Sequence, residues 1–416
     1  MRLFGFELKK LIGKRGIFIA LILFSMINLL KIHSVYQSYS YLAPENTVSA
    51  SSEFMDWHTA YWTLYPDVKG TMTNESIERI LALYRPLEEK LADLTASTEM
   101  NQPGTITGND YSDANLLSKY YMKPMEYFYT YRQNAEAVIE RARENVLFYR
   151  EHGNEYEARK NALIHNIYAG RVISNFEYTE MVNYLVHYDF STVLTLLLVL
   201  YGIVGVFVRE RETQMTGLLI TSPKGGRETA LAKLLAASVF AVCVSLWFSL
   251  SDVLGFALTF GTWEGLGMPV YAITNLSTSA VNMTLLQYIF LSAFTKALGI
   301  WVLGMMILLV SRFWDNALVP FIAGGIGAGG LAVLSSIFAY SGNIIAKILN
   351  PATLLTNRVL FGKTEIINMF GFPVLSYAAA IGVGLLIGGI LVAVIHFSTM
   401  RNRALRKGRA LCLLLK

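Results

Sequence analysis

The stretch FSTVLTLLLVLYGIVGVFVRERETQMTGLLITSPKGGRETALAKLLAASVFAVCVSLWF, Phe190 to Phe248, decides the fold. Its first nineteen positions, Phe190 to Val208, carry no charge. At about 1.5 Å per residue such a helix crosses roughly 30 Å of hydrocarbon. Arg209, Glu210, Arg211 and Glu212 end the run, a polar segment follows, and from Lys233 the sequence turns apolar again. This pattern predicts a helix that leaves a membrane, a short charged loop, and a helix that re-enters.

Working outward, Leu285 to Val310, Ala317 to Tyr340 and Val374 to Phe397 are also long enough to span, and Gly16 to Leu30 is a shorter run that its flanks can extend. The chain is 54% hydrophobic and only 16% charged, against about one quarter charged in soluble globular domains. A buried soluble helix explains one such run but not six. The expectation is an all-α membrane protein with six transmembrane helices at 16–33, 189–208, 233–258, 285–311, 317–340 and 374–397. A cleaved signal peptide is the alternative for the first run. No small-x-small site follows it promptly, and Asn28, Lys31 and His33 read as an interfacial end.

Charge orients these spans. Residues 32–187 hold 21 acidic and 13 basic side chains, although the whole chain is formally +5. Lys and Arg gather before the first span (Arg2, Lys9, Lys10, Lys14, Arg15), after the second (Arg209, Arg211, Lys224, Arg227) and after the last (Arg401, Arg403, Arg406, Lys407, Arg409). The positive-inside rule puts both termini, the loop 209–232 and the basic tail 398–416 in the cytoplasm of a cell membrane, and six crossings agree with that. Residues 34–187 then form an extracytoplasmic insertion.

That insertion holds 17 of the 23 tyrosines. Ile77, Ile80, Tyr84, Leu87, Leu91 and Leu94 recur at helical spacing, as do Phe128, Tyr131, Ala135, Val138, Ala142 and Tyr149, so two amphipathic helices are expected to bury their stripes against each other. Thr73 or Asn74 can cap the first, Pro124 suits the first turn of the second, and Gly153 can end it. Pro86 should kink the first helix. Glu99 to Asp113 reads as an exposed loop. The tyrosines either fill an aromatic core and membrane rim or grip a peptide or lipid. Cys243 and Cys412 offer no disulfide framework. On the outer side, 341–373 is apolar but interrupted, and is expected as short amphipathic or re-entrant helices.

Within the second-to-third-span loop, Glu210 and Glu212, Gly217 with Leu218 and Leu219, Thr221-Ser222-Pro223, Arg227-Glu228 and Lys233 follow one another in an order that resembles the permeases of ABC type-2 exporters. Glu7, Lys9 and Lys10, in the run Phe6 to Lys10 before Lys14-Arg15, are similar to the amphipathic elbow helix of that family, expected here at 1–15. The resemblance implies a coupling helix in the 209–232 loop that docks on separate cytoplasmic ABC ATPase subunits carrying ATP and Mg. It also implies a second permease subunit, identical or related, and export of a peptide, lipid-like molecule or drug. The long insertion departs from the short first outer loop of many relatives. Apart from the family, a short helix between two spans, broken by Pro223, Lys224, Gly225 and Gly226, can act as a lever for a soluble partner. A membrane sensor whose insertion binds a ligand without transport is the other reading.

Asp252 and Lys296 lie at similar depth from the outer ends of their spans. Ionisable groups in hydrocarbon require partners, so the two are expected to pair across helices. Gly324, Gly325, Gly327, Gly329 and Gly330 of the fifth span, with Gly382, Gly384, Gly388 and Gly389 of the sixth, are expected as close-packing faces. The sequence contains no phosphate-loop motif, no H-E-x-x-H, no metal-ligand cysteine spacing and no G-x-S-x-G, so neither nucleotide hydrolysis nor metal or serine hydrolase chemistry is expected of this chain, and it is not expected to be an enzyme. The basic residues edge the membrane and form no aromatic-interleaved stripe, which argues against nucleic acid as a partner.

Overall fold

The computed structural model of the chain describes residues 2–40, 57–96, 114–215 and 227–414. Six of its helices are long and apolar enough to cross a membrane. They occupy Arg15–Ser40, Phe190–Glu212, Arg227–Phe260, Leu285–Ser311, Leu318–Ser341 and Ser376–Leu414. The protein is an all-α membrane protein, with a small β-hairpin and one short strand pair as its other regular elements among the described residues.

The second and fourth spans are the most enclosed, and the first, fifth and sixth wrap around them. Leu198, Ile203, Ala237, Ala241, Leu303 and Leu308 fill the shared core, while Phe18, Leu258, Ile326, Leu386 and Phe397 point outward. Exposed apolar surface running along whole helices is costly in water and costless in lipid, so the outward faces agree with a bilayer as solvent. The fourth span starts on a full capping box, Thr284 with Gln287, and the fifth ends on Gly342, whose φ of 70° closes the helix in the left-handed region.

Several boundaries differ from the sequence expectation. The third helix begins at Arg227, so Arg227 to Lys233 are helical and do not belong to a loop. The sixth helix continues through the basic tail to Leu414. A charged helix end projecting beyond hydrocarbon keeps its backbone bonds, so hydropathy falls before helicity does. The intervening segment is therefore 213–226. Its residues 216–226, with Gly217 and Pro223, lie outside the described residues, as does 99–113.

In the insertion, Asn74–Ala96 and Lys123–Glu151 are helices. Thr73 Oγ1 accepts from Ser76 N at the start of the first, Pro124 sits in the first turn of the second, and Pro86 lies within the first helix. These two do not form the expected hairpin. Lys123–Glu151 instead packs antiparallel on Glu155–Tyr168, with Ala142 and Ala158 buried and Asn145 Nδ2 donating to Asn161 Oδ1 at 3.1 Å. Gly153 at φ 71° and the Asn154 cap make a tight turn that brings sequence neighbours together.

The tyrosines largely form a core. Tyr61 stacks on Tyr121 with ring centres 5.0 Å apart, and Tyr121 donates to the Tyr61 carbonyl. That core continues into the connection between the third and fourth spans: Tyr131 stacks on Tyr271 at 4.9 Å, while Tyr127 and Tyr131 donate to the carbonyls of Tyr271 and Ser277. Arg171, buried between the rings of Tyr168 and Tyr271, donates to Ser279 O. Burial raises the phenols of Tyr61, Tyr65, Tyr121 and Tyr127 well above their ordinary range.

Residues 341–373 contain the short helices Ile344–Leu349 and Asn357–Phe361, as expected, and also a β-hairpin of Ile366–Met369 with Phe372–Leu375. Phe370 and Gly371 both have positive φ, the geometry of a two-residue hairpin turn.

Candidate functional site

The residues singled out in the sequence gather at two levels of the bundle. At the end where Arg209 and Arg211 leave the second span, the amino-terminal helix Arg2–Ile12 lies against the third span with Leu11 in the core and Glu7 buried. Lys9 faces outward. Lys10 Nζ lies 3.4 Å from Glu7 and 3.5 Å from Glu210. Lys233, buried on the third span, closes onto the other oxygen of Glu210 and donates to the Val206 carbonyl at 3.3 Å. Glu210 thus joins three helices. A buried ammonium needs such a carboxylate, because desolvating it alone costs several kcal/mol.

The same helix end reaches the fourth and fifth spans. Arg211 donates to Ser311 O at 2.7 Å and pairs with Asp315 at 3.1 Å. Glu212 accepts the Ala317 backbone N–H at 3.1 Å, satisfying one of the open donors that precede the fifth span. Glu212 is therefore a structural cap, whereas Arg227 and Glu228 are exposed in the first turn of the third helix. The sequence singled out these positions for an outside partner, and Lys233 as the end of the loop. Burial of Lys233 and capping by Glu212 depend on neighbours that sequence spacing does not reveal.

At the opposite level, Asp252 and Lys296 are both buried. They do not form the expected ion pair: no oxygen of Asp252 comes within 4.0 Å of Lys296 among the described contacts. Asp252 accepts from Asn28 Nδ2 and from Ser191 Oγ, at 2.8 and 2.5 Å. Lys296 donates to Tyr188 O at 3.2 Å and lies 3.8 Å from Asp189. Tyr188 closes the circuit by donating to Asn28 Oδ1 at 2.8 Å. The depth of the two charges was readable from the sequence. The rotation of their helices, which turns Lys296 toward Asp189 at the start of the second span, was not. The network ties the first four spans together; Tyr188, Asp189 and Ser191 are the members that sequence reading missed, and Asn28, expected at an interfacial end, is buried within it. Asn28, polar within the first apolar run, was their visible signal.

Among the described residues no group of His, Cys, Asp or Glu side chains converges as metal ligands. No family model matches the chain, and no curated protein matches it.

Proposed function

We propose that this chain is the membrane-spanning permease subunit of an ATP-driven exporter, with both termini and the 213–226 loop in the cytoplasm and the insertion outside the cell membrane. What carries the reading is the Glu210 junction beside a loop whose sequence resembles that of ABC type-2 exporters. Separate ATPase subunits, holding ATP and Mg, grip that loop. A second permease subunit, identical or related, completes the path.

The junction gives the loop a mechanical consequence. A push on 213–226 is applied to two helix ends that are already locked to each other and to the amino-terminal helix through Glu210, so the three move as one body. Arg211 and Glu212 pass the motion to the fourth and fifth spans. The buried network around Asp252 holds the first four spans at the other level and serves as the pivot. Tilting about it alternates access for a peptide, lipid-like molecule or drug.

Copurification tests this. The tagged chain should bring down an ATP-hydrolysing partner from native membranes. Arg227→Glu or Glu228→Lys, both exposed, should weaken the complex or uncouple hydrolysis while leaving the chain folded. A chain that purifies alone and whose insertion binds a ligand would instead be a membrane sensor.

A further inference from the structure

The recess beside the Glu210 junction is lined by Glu7, Lys10, Lys14, Arg209, Glu210 and Lys233 around Gly205. Four cations face two carboxylates there, and both carboxylates are engaged by Lys10 and Lys233. Lys14 and Arg209 have no ion-pair partner among the described residues. Their side chains flank the same glycine: a Cβ added to Gly205 would lie 3.5 Å from Lys14 Nζ and 3.6 Å from Cγ and Cδ of Arg209, and the Arg209 charge is near enough to act on the Lys14 ammonium. The neighbouring segment 216–226 cannot supply a carboxylate, because it contains Lys224 and no acidic residue. The carboxyl-terminal stretch 400–416 contains none either.

Two unpaired cations held together at the edge of a membrane-spanning bundle call for an anion. We infer that Lys14 and Arg209 bind a phosphate group at this recess, supplied by the head group of an anionic phospholipid. Arg209 offers a planar fork and Lys14 a compact charge, the pairing suited to phosphate oxygens. On the amino-terminal helix that carries Glu7, Lys10 and Leu11 of the recess, Phe6 and Ile12 are exposed, the mix of apolar and basic side chains that suits a helix lying along a membrane surface. Crowding supports the assignment: burial, then the charges of Arg209 and Lys10, lower Lys14 to about 8. A bound anion offsets that repulsion, and Glu7, Glu210 and Lys233 are the other charged groups facing it.

The experiment compares thermal unfolding of the full chain in nanodiscs of phosphatidylcholine with and without phosphatidylglycerol. The wild type should be more heat-resistant with the anionic lipid. Lys14→Gln with Arg209→Gln should lose most of that difference, Lys14→Arg should keep it, and Arg401→Gln with Arg403→Gln in the tail should keep it. In labelled wild-type protein the Lys14 titration midpoint should rise when phosphatidylglycerol is present. Protection by soluble glycerol phosphate in phosphatidylcholine discs, lost in the Lys14 and Arg209 variant, would support the same site with a water-soluble source. The inference is overturned if the variant keeps the full difference, if the tail variant loses it equally, or if neither anion protects the wild type.

Discussion

Glu210 is the residue on which the basic end of the bundle turns. It faces Lys10 and the buried Lys233, so Glu210→Ala leaves a desolvated ammonium and should cost about 3 kcal/mol. Glu210→Gln combined with Lys233→Met should recover most of that loss, and unfolding of the single and double variants in detergent or nanodiscs measures it. Lys14 supplies a second test. Its proton leaves near pH 8 in the folded chain, because of burial and the charges of Arg209 and Lys10, and near 10.5 when unfolded. Between those values the unfolded state holds more protons, so stability rises with pH. Unfolding in phosphatidylcholine discs should show that rise, and Lys14→Gln should flatten it. At this scale the sequence revealed which residues carry charge in the wrong solvent but not whom they meet. Asp252 and Lys296 stand at matching depth, yet Lys296 turns to Tyr188 and Asp189, because the azimuth of a helix is set by packing that no apolar run records.

Helices show the same division. Their existence followed from long uncharged runs, and the caps at Thr73, Pro124 and Gly153 were readable because each has a local mechanism. Their partners were not. The stripe on Lys123–Glu151 fitted either neighbour, and the Gly153 turn decided for Glu155–Tyr168, whose own polar sequence gave a weaker stripe. The four-residue strands at Ile366–Leu375 are too short for periodicity to distinguish from broken helix. Contact between spans is sharper. Gly388 of the sixth span meets the Trp301 ring of the fourth with no room for a Cβ, and Gly324 packs on Leu200 and Ile307, whereas Gly327, Gly329 and Gly330 meet nothing within 4 Å. Gly388→Val should therefore destabilise by about 1–3 kcal/mol through forced separation of the two spans. The same change at Gly329 should have little effect on unfolding of the single chain.

The whole molecule joins a bundle to an insertion that does not stand alone. Tyr127, Tyr131 and Arg171 reach across to Tyr271, Ser277 and Ser279, between the third and fourth spans. A fragment of residues 34–187 lacks those partners and should remain molten, with poorly dispersed NMR signals, whereas the full chain protects the same amides from exchange. The composition shift at 34 and 187 marked the insertion, but its dependence on residues 262–284 lies in contacts 108 to 146 positions apart. The connected path from the Glu210 junction, along the third span, to this shared core is what would let a cytoplasmic motor move an outer surface. That requires the loop after the second span to face the cytoplasm. Replacing Cys243 and Cys412, placing a single cysteine at Gly217, and labelling with a membrane-impermeant thiol reagent tests it most directly. Labelling is expected in inside-out vesicles and not in intact cells; labelling from the outside of intact cells would rule out a cytoplasmic loop.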